Sequence, residues 1–417
     1  MNNKKAFLVA GLGFGDEGKG TTVDFLTRKY NAHTVIRYNG GAQAGHNVIT
    51  KDGRQHVFSQ FGSGTFIPEV KTYLSRFMVV NPITMVTEEE HLRKLGIEDA
   101  FARTIIDGRA LVVTPFHKIT NWLREISRGQ KKHGSCGMGI GETINDYRQY
   151  GDNSLFIKDL TDFNLTRDKL EYIRSKKIET ISTLNLPDNA IVREKLEIIN
   201  SNTFKGLHDI YYKLTINKLI NSTEDDYLTR LLNIDGSVIF EGAQGILLDP
   251  KYGFTPHVTK TDITFSNALA LLKEASYKGG VRRIGVLRAY ATRHGAGPFP
   301  TESENLTQSL QDSHNPEGPW QGRFRVGYFD TALTKHALSA IGSLDDVVLT
   351  NLDRLKSIEP LKICTRYNLK DNKPIYKTLP KVRSRKDCFK YLEFLHDLNI
   401  PVSMASFGPT AEDKIIL

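Results

Sequence analysis

The feature that most constrains the fold is an apolar run that leads directly into a glycine-rich loop near the start of the chain. Residues 6–10 read AFLVA, residues 11–20 read GLGFGDEGKG, and apolar side chains at helical spacing follow at Val23, Phe25 and Leu26. This succession predicts a short buried strand, a tight loop and a helix. Glycines in such a loop let backbone amides approach phosphate oxygens, and the helix N-terminus that follows favours negative charge.

Similar apolar runs recur along the chain and predict its fold class. Each ends in glycine or in polar residues, and they lie at 34–41, 237–245, 282–290 and 347–353. Helix-compatible segments lie between some of them, at 265–277 and 330–342. Strands that alternate with helices indicate an α/β fold with a mostly parallel central sheet flanked by helices. Ligands of such sheets gather beyond the carboxyl ends of the strands.

Length and composition leave two organisations open, one large domain with an insertion or two domains. At 417 residues, with 39% hydrophobic and 25% charged residues, the chain can bury a large core. Residues from about 155 to 235 are glycine-poor, rich in Lys, Glu, Asn and Ile, and helically spaced, as in KLEYIRSKKIETI. We therefore expect a single domain over 1–417 that carries a helical insertion at about 155–235.

Charge, hydropathy and cysteine usage limit the classes of ligand and partner that we expect for this chain. The formal net charge of +9 suggests an acidic ligand. The densest basic runs, at 128–133 and 381–386, are short, which favours small phosphates over nucleic acid. No apolar run approaches the ~20 residues that cross a bilayer, and Cys136, Cys364 and Cys388 have neither metal nor disulfide spacing. We expect a cytoplasmic protein with neither a nucleic-acid nor a membrane partner.

The glycine-rich loop holds two carboxylates, Asp16 and Glu17, although a loop built for phosphate should not favour negative charge. The run GFGDEGKG fits the phosphate-loop pattern up to Lys19, but Gly20 stands where phosphate-loop NTPases place a serine or threonine on magnesium. A carboxylate is favourable among phosphates when a divalent cation lies between them, or when it accepts a proton from a substrate. Asp16 suits both tasks.

Six motifs, in order and spacing, resemble those of the adenylosuccinate synthetase family. They are GDEGKG at 15–20, GGAQAGH at 40–46, FEGAQGILLD at 240–249, TRHGAGPFPTE at 292–302, GRFRVGYFD at 322–330 and LTNLD at 349–353. The likeness continues to FGPTAEDKI at 407–415 and covers nearly the whole chain.

The resemblance implies a homodimeric, Mg²⁺-dependent ligase of purine biosynthesis. Its reaction uses GTP to phosphorylate O6 of IMP, which gives 6-phosphoryl-IMP, and the amine of L-aspartate then displaces that phosphate. The products are N6-(1,2-dicarboxyethyl)-AMP, GDP and phosphate.

The resemblance also implies roles for four catalytic residues, Asp16, Lys19, His46 and Gln244. Asp16 takes the proton from N1 of the purine and contacts Mg²⁺, which the backbone carbonyl of Gly45 also contacts. His46 stabilises charge on the transferred phosphoryl group or on O6. The side-chain amide of Gln244 contacts O6, and Lys19 adds a cation at the phosphates.

Three sets of binding residues follow from the same resemblance. The nucleoside triphosphate is bound by Gly15, Asp16, Glu17, Gly18, Lys19, Gly20, Gly45, His46, Arg325, Asn351, Leu352, Asp353, Ser406, Phe407 and Gly408. IMP is bound by Gln43, Ser135, Cys136, Arg148, Gln244, Thr259 and Arg323. L-Aspartate is bound by Pro319, Trp320, Gln321, Gly322, Arg323 and Arg325.

Several of these positions depart from the family pattern, and the departures cluster at specificity contacts. Asn351 stands where the family has a lysine that covers guanine. The family has threonines just before Gly-Arg of the aspartate loop, whereas Pro319, Trp320 and Gln321 precede Gly322 and Arg323 here, so two hydroxyl donors are missing. Ser135 and Cys136 replace paired threonines near the IMP phosphate.

Two further positions complete this pattern and leave alternatives open. Gln43 replaces an asparagine, and Arg148 is the nearest counterpart of an arginine that the other subunit supplies in the family. One alternative is a paralogous ligase that acts on another 6-oxopurine nucleotide, such as dGMP, or that uses ATP as phosphoryl donor. A binding protein without turnover is a second alternative, which the presence of Asp16 and His46 argues against.

Overall fold

The computed structural model describes residues 4–201, 204, 206–215, 226–310, 318 and 320–417. Its strands, in chain order, are β1 Lys5–Gly11, β2 Ala32–Arg37, β3 His46–Ile49, β4 Gln55–Phe58, β5 Lys71–Leu74, β6 Val79–Val80, β7 Thr104–Ile106, β8 Leu111–Val112, β9 Ser237–Gly245, β10 Gly280–Arg288, β11 Ala291–His294, β12 Phe324–Gly327, β13 Phe329–Asp330, β14 Asp346–Thr350, β15 Lys362–Tyr367, β16 Pro374–Thr378, β17 Val402–Ser406 and β18 Lys414–Ile416.

The helices lie between these strands. They are α1 Lys19–Lys29, α2 Pro82–Lys94, α3 Pro115–Ser127, α4 Ile140–Tyr150, α5 Phe163–Ser182, α6 Ala190–Asn200, α7 Leu207–Leu214, α8 Tyr227–Asn233, α9 Ser266–Glu274, α10 Glu304–Ser309, α11 Thr331–Ile341 and α12 Arg385–Asp397. The strand, loop and helix predicted from residues 6–26 are β1, the loop after it and α1.

The central sheet has the strand order β18-β17-β14-β10-β1-β9-β2-β5-β7. Every neighbouring pair is parallel except β17 and β18. Strand β1 is central, with β10 on one side and β9 on the other. Both faces of such a strand are covered, which explains why AFLVA reads as an uninterrupted apolar run. The predicted mostly parallel α/β sheet is confirmed.

Alternate residues of β1 pack into two separate hydrophobic cores, one on each face of the sheet. Phe7 and Val9 pack with Val23 and Leu26 of α1 on one face of the sheet. Ala6 and Leu8 belong to the core on the other face, which α9 and α11 cover. The first face fixes α1 against the sheet, and this contact sets the position of the glycine-rich loop that joins β1 to α1.

A helical layer forms a further core beside the sheet. The described part of the predicted insertion, about 155–235, contains α5, α6, α7 and α8. Helix α3 packs against α4, α5 and α6 through residues such as Phe116 and Leu123. The limits of the insertion and the division into one domain stay predictions. Among the described residues, no helix combines the length and the apolar character that crossing a bilayer requires.

The predicted location of the ligand site follows from this topology. Strands β1, β2, β9, β10 and β14 are parallel, so their carboxyl ends share one edge of the sheet. The glycine-rich loop, the GGAQAGH motif, Gln244 and the LTNLD motif all lie at those ends. The chain therefore gathers its sequence motifs along one edge of the sheet, as expected for a parallel α/β protein.

Candidate active site

The carboxylate of Glu17 fills the hollow of the glycine-rich loop. It accepts hydrogen bonds from the backbone amides of Gly13 and Gly15, each at 2.9 Å, and it pairs with Nζ of Lys19 at 2.5 Å. A Cβ atom on Gly245 would lie 2.2 Å from Oε1 of Glu17, so a glycine is required at that point. The backbone amides of the loop and Lys19 thus balance the charge of the Glu17 carboxylate. This contact also fixes the side chain of Lys19 at the start of α1.

Tertiary packing explains why residue 20 is glycine. A Cβ atom on Gly20 would lie 2.8 Å from Cβ of His46 and 3.0 Å from the carbonyl oxygen of Asn47. The serine or threonine of a phosphate-loop NTPase therefore has no room here. The same contact brings His46 against Gly20 in the first turn of α1, next to Lys19 in sequence.

Asp16 lies at the tip of the loop in a left-handed conformation, with φ of 60°. Aspartate tolerates this region better than most residues. Nη1 of Arg288, at the end of β10, donates to the carbonyl oxygen of Asp16 at 3.1 Å and so fixes the loop. Burial raises the pKa of Asp16, while the positive charges of Arg288 and Lys19 oppose this shift. A raised pKa makes the ionised carboxylate a stronger proton acceptor.

His46 forms a buried pair with Glu241, which the sequence interpretation did not single out. Nδ1 of His46 lies 2.5 Å from Oε1 of Glu241, and the two side chains are 5% and 0% exposed. Ser63 donates its backbone amide to Oε2 of Glu241 at 3.0 Å and its hydroxyl to Oε1. A carboxylate inside the apolar run 237–245 is the one sequence signal that could have indicated Glu241.

Charges around this pair keep Glu241 ionised. Burial alone would raise the pKa of Glu241, but Arg37 and His46 outweigh it and lower the pKa. Arg37 is fully buried and is the register partner of Glu241 across β2 and β9. Burial lowers the pKa of His46, although Glu241 opposes that shift. In the neutral ring Nδ1–H donates to Glu241, and Nε2 carries a lone pair that can accept a hydrogen bond.

Three buried polar atoms of the site have no hydrogen-bond partner within the described part of the chain. They are Nε2 of His46, Oε1 of Gln43 and Oε1 of Gln244. Gln244 has a φ of 57°, a left-handed conformation at the end of β9. A Cβ atom on Gly40 would lie 2.4 Å from Cβ of Ala243, so the GGAQAGH loop packs directly on the end of β9. These three side chains therefore belong to one neighbourhood.

The loop of residues 134–139 is held by side chains of α3. Oδ1 of Asn121 accepts from Oγ of Ser135 at 2.9 Å and from the backbone amide of Gly139 at 3.3 Å. Cys136 is partly buried, and burial raises the pKa of its thiol. Loop 134–139 thus leads into the N-terminus of α4 in a fixed conformation.

A buried polar network beneath that loop joins three helices. Nδ1 of His117 accepts from the backbone amide of Thr114 at 3.0 Å, and Nε2 donates to Asp146 at 3.0 Å. Burial lowers the pKa of His117, which keeps the ring neutral. Lys177 of α5 pairs with Asp146 and lies 3.5 Å from Glu142. A side chain of the predicted insertion therefore supports the loop at the start of α4.

A cleft of about 910 Å³ contains the residues predicted to bind aspartate. Its lining includes Lys132, Glu302, Trp320, Gln321, Arg323 and Arg325. Gly322 also lines it, whereas Pro319 lies outside the described residues. The predicted set is thus brought together at one cleft, and the structure adds Lys132 and Glu302 to it.

Two glutamates of the chain form ion pairs with the two arginines of this cleft. Arg323 pairs with Glu304 at 2.9 Å and with Glu302 at 3.1 Å. Arg325 pairs with Glu302 at 2.7 Å and also donates to the carbonyl oxygens of Gly295 and Gly297. The arginines therefore already bind carboxylates, which is the chemistry predicted for them.

The first segment predicted to contact the base, Asn351 to Asp353, lies beside the glycine-rich loop. Thr350 donates its hydroxyl to the carbonyl oxygen of Glu17 at 2.6 Å, which places the Asn351-to-Asp353 turn beside that loop. Burial raises the pKa of Asp353. Leu352 is buried in the core beneath the turn, and Asn351 has a left-handed φ of 60°.

The second segment predicted to contact the base, Ser406 to Gly408, lies near α1. Thr21 of α1 donates to the carbonyl oxygen of Pro409 at 2.8 Å, and Nζ of Lys414 donates to Thr21 at 2.6 Å. Oγ of Ser406 donates to the carbonyl oxygen of Gly408 at 2.9 Å. Phe407 is flanked by the guanidinium group of Arg385, at 4.2 Å from the ring centroid.

Two of the residues predicted to bind IMP, Arg148 and Thr259, lie at the same segment, 259–261. Arg148 is exposed on α4 and donates to the carbonyl oxygen of Lys260 at 3.1 Å. The hydroxyl of Thr259 lies 3.3 Å from that of Thr261. Arg148 thus bonds to the residue that directly follows Thr259.

The residues present fit Mg²⁺ as a partly substrate-bound ion. The described residues hold no cluster of three or more His, Cys, Asp or Glu that could enclose a metal by itself. Asp16 supplies one carboxylate beside the phosphate loop. Mg²⁺ commonly binds through one or two carboxylates, substrate phosphates and waters, so a single acidic residue suits it.

Comparison with known proteins decides the family. A family model described as adenylosuccinate synthetase matches residues 8–415. The chain belongs to the adenylosuccinate synthetase family. It is 33% identical over 402 residues to the adenylosuccinate synthetase of Thermoplasma volcanium, across 95% of this chain and 87% of that protein. It is 31% identical over 440 residues to that of Chlorobium chlorochromatii, across 98% and 97% of the two chains.

Solved structures agree with the fold of the adenylosuccinate synthetase family. The fully ligated adenylosuccinate synthetase of Plasmodium falciparum superposes with a TM-score of 0.81 at 21% identity, over 99% of each chain. The succinoaminodeoxyadenylate synthetase of cyanophage S-2L, bound to dGMP and to dATP as an energy donor, gives 0.64 at 16% identity, over 99% of this chain and 95% of that one.

Membership in the adenylosuccinate synthetase family makes this chain an enzyme, a ligase that forms a C–N bond on nucleotide substrates. The predicted family and reaction class are confirmed. The role of each site residue stays a prediction, and the geometry described above is the basis for it.

Proposed function

We propose that this chain joins L-aspartate to IMP with GTP as phosphoryl donor. The observation that carries the proposal is the group of three unpartnered buried atoms, Nε2 of His46, Oε1 of Gln43 and Oε1 of Gln244. A buried polar atom left unpaired costs ~1–3 kcal/mol. The N1–H of a 6-oxopurine offers a donor to a glutamine oxygen of this group, and a phosphoryl group offers an acceptor to Nε2 once His46 is protonated.

In the first step O6 of IMP attacks the γ-phosphorus of GTP. The N1 proton passes to the Asp16 carboxylate, a P–O6 bond forms, and the bond between the γ-phosphorus and the β,γ-bridging oxygen breaks to release GDP. The raised pKa of Asp16 supports its role as the proton acceptor. Lys19 would exchange its contact with Glu17 for the phosphates, since both are anionic acceptors.

Glu241 is proposed as the residue that enables His46 to act in this step. A neutral ring that donates Nδ1–H to Glu241 offers only a lone pair at Nε2. Donation from Nε2 to the transferred phosphoryl group therefore requires the imidazolium form. The ionised Glu241 stabilises that form, as a carboxylate does for the histidine of a hydrolase triad.

In the second step the amine of L-aspartate attacks C6, the C6–O6 bond breaks, and phosphate leaves as the amine loses a proton. Arg323 and Arg325 are proposed to hold the aspartate carboxylates, because guanidinium groups bind carboxylates in a bidentate manner. Glu302 and Glu304 now occupy these arginines, so the substrate exchanges with carboxylates of the protein.

The proposed reaction requires a divalent cation. The Asp16 carboxylate and the backbone carbonyl of Gly45 would hold Mg²⁺, together with phosphate oxygens. When bound, the ion supplies positive charge to the γ-phosphoryl group.

GTP is proposed over ATP because Asp353 offers a carboxylate to the N1 and N2 hydrogens of guanine. The residues that flank the two base segments hydrogen-bond to the phosphate loop and to α1: Thr350, just before 351–353, bonds to Glu17, and Pro409, just after 406–408, bonds to Thr21. These contacts support the joint use of the two segments by one nucleotide. The alternative is a ligase of the same chemistry that uses ATP or acts on dGMP, and Asn351 in place of the family lysine favours it.

We also propose that the enzyme is a homodimer and works in the cytoplasm. Arg148 is exposed on α4, where it is accessible to the site of a second subunit. Cys136, Cys364 and Cys388 are free thiols, which agrees with a reducing compartment.

The test is phosphate release by purified protein with Mg²⁺ and L-aspartate, crossing GTP or ATP with IMP or dGMP. The ultraviolet absorbance of the succinylated product is followed in parallel. Turnover with GTP and IMP is the expected result, and omission of L-aspartate is the control for unproductive hydrolysis. Turnover only with another pair would establish the alternative, and no turnover with any pair would refute the proposed function.

A further inference from the structure

Two tryptophans stack on each other beside the aspartate cleft. Trp122 lies on α3 and Trp320 lies just before Gly322, and the ring centroids are 5.5 Å apart with planes inclined by 8°. The sequence contains only these two tryptophans. Trp122 and Trp320 form the tryptophan pair. Parallel rings at such a distance attract each other beyond the area that they bury.

Gly137 of the 134–139 loop is wedged against both rings. A Cβ atom at this position would lie 2.7 Å from Nε1 of Trp122 and 2.8 Å from Cδ1 of Trp320. Gly137 also has a φ of 75°, which few other residues adopt without strain. The loop proposed to bind the IMP phosphate therefore contacts the tryptophan pair through its backbone, and neither can shift without the other.

The loop that carries Trp320 leads directly to the two arginines of the cleft. Gly318 and Gly322 exchange backbone hydrogen bonds at 3.2 and 3.1 Å, which places Trp320 at the tip of a closed turn. The backbone amide of Gly295 donates to the carbonyl oxygen of Arg323 at 3.0 Å. Trp320 thus lies between two hydrogen-bonded glycines, and the second of them directly precedes Arg323.

Trp122 is the fixed member of the pair. Its ring lies on α3, below Nζ of Lys118 at 5.7 Å and Nζ of Lys195 at 5.1 Å from the ring centroid. Cations over an indole face add to the attraction that holds the ring. Its Nε1 is buried and has no hydrogen-bond partner among the residues that the structure describes. This donor lies against Gly137, so a change in the 134–139 loop acts on it directly.

We propose that the tryptophan pair couples binding of the IMP phosphate at loop 134–139 to binding of L-aspartate at residues 320–325. Trp320 is thus a positioning residue for the aspartate loop, in which the hydroxyl donors of the family are missing. This inference rests on the proposed function of the two loops. An occupied 134–139 loop stabilises the stack, and the stack holds Arg323 and Arg325 in the arrangement that accepts a dicarboxylate.

Thermodynamic linkage makes this coupling reciprocal. If IMP tightens the binding of L-aspartate by some factor, L-aspartate tightens the binding of IMP by the same factor. An aromatic pair supplies enough attraction for a factor of ~2 to 12. The hydroxyl donors of the family would contact aspartate directly, whereas Trp320 acts through the conformation of the loop.

Tryptophan fluorescence measures the pair without turnover, because the wild-type emission comes from these two rings alone. We expect titration with IMP to change the emission, and the midpoint of that titration to fall when L-aspartate is present. In Trp320→Ala the remaining Trp122 should still respond to IMP, but L-aspartate should no longer move the midpoint.

Kinetics test the positioning role. Trp320→Ala should raise the KM for L-aspartate ~2- to 12-fold with little change in kcat. Trp320→Phe should restore most of the loss because a phenyl ring can stack on Trp122. Trp320→Leu retains bulk without stacking and should behave like Trp320→Ala. Unchanged KM and unchanged coupling in Trp320→Ala would overturn the inference.

A matched control is the parallel pair of Tyr73 and Tyr227, whose planes differ by 2° at a centroid distance of 6.2 Å. Tyr227→Ala should lower the melting temperature without altering the KM for L-aspartate. A wild-type enzyme that neither turns over nor responds to IMP would mean that the proposed function has failed. Turnover and an IMP response with no effect of Trp320 would mean that only the coupling has failed.

Discussion

Nδ1 of His46 lies 2.5 Å from Oε1 of Glu241, although 195 residues separate the two along the chain. A carboxylate at Nδ1 sets the tautomer and orientation of the ring and stabilises its protonated form. We expect Glu241→Gln to lower kcat by ~10²-fold or more with little change in the KM values. Steady-state kinetics with GTP, IMP and L-aspartate measure this effect.

The control for this prediction is a double-mutant cycle. Because Glu241 acts through His46, the variant His46→Asn/Glu241→Gln should be no slower than His46→Asn alone. Additive losses in the double variant would show that Glu241 acts separately from the histidine.

Asp16→Asn should lower kcat by ~10²- to 10⁴-fold, because an amide cannot accept the N1 proton. Asparagine tolerates the left-handed conformation that Asp16 adopts, so the loop should remain folded. In the wild type, kcat/KM should fall as pH falls through the pKa of Asp16, since the base must be ionised. Burial raises that pKa, so the fall should begin at a higher pH than for an exposed aspartate. A pH profile of Asp16→Asn with wild-type rates would contradict the assignment.

The same substitution should stabilise the fold at neutral pH. The folded-state pKa of Asp16 is raised, so its contribution to stability is fully present below the unfolded-state pKa and is lost as pH rises through the folded-state pKa. Thermal melts should therefore show Asp16→Asn more stable than the wild type at neutral pH, with the difference shrinking in acid.

Asp107→Asn is the control of opposite sign for those melts. Burial would raise the pKa of Asp107, but hydrogen bonds from Arg109 outweigh it and lower the pKa. Its stabilising contribution is present above the unfolded-state pKa and lost as pH falls through the folded-state pKa. Asp107→Asn should accordingly be less stable than the wild type at neutral pH and approach it in acid. The same sign for both variants would mean that burial does not govern Asp16.

Gly20→Ala should lower kcat by ~10²-fold, because the new methyl group meets His46 and displaces it. Alanine has a higher helix propensity than glycine, so any loss must come from the contact and not from α1 itself. Gly280→Ala is a matched control, since nothing lies within 4 Å of its Cβ position. Equal activity of both variants would show that the contact with His46 is unimportant.

Glu304→Gln should lower the KM for L-aspartate ~1.5- to 5-fold, the range expected for an exposed ion pair. Glu304 now binds Arg323 at 2.9 Å and competes with a substrate carboxylate. Added salt should reduce the difference between the variant and the wild type. Glu179→Gln, which breaks an exposed pair with Lys176 at 2.9 Å, is the matched control and should leave KM unchanged. A higher KM in Glu304→Gln would instead indicate that Glu304 positions Arg323 productively.

The strand, loop and helix at residues 6–26 were predictable because their signals are local. The apolar run, the glycines and the helical spacing follow one another directly in the sequence. The alternation of such strand and helix units along the chain predicts a parallel sheet. The location of Asp16, His46, Gln244 and Asp353 at one edge follows from the same rule, since each residue ends or follows a parallel strand. The resemblance then supplied the roles that local patterns leave open.

Other members of the site could not be read from the sequence. Arg37 and Glu241 look like unexplained charges in apolar runs until the register of β2 against β9 makes them partners. The register depends on the packing of two whole strands, to which all of their residues contribute. Glycine at position 20 looked like an incomplete motif, and only its contact with His46 explains it.

The sequence by itself therefore determined the fold class and the family, and it predicted the main catalytic side chains, because motif chemistry is short-range along the chain. Tertiary structure alone decided that Glu241 supports His46, that glutamates occupy the cleft arginines, and that Trp122 meets Trp320. Each of these contacts joins segments far apart in sequence. Their geometry depends on strand order and helix packing, which no local pattern encodes.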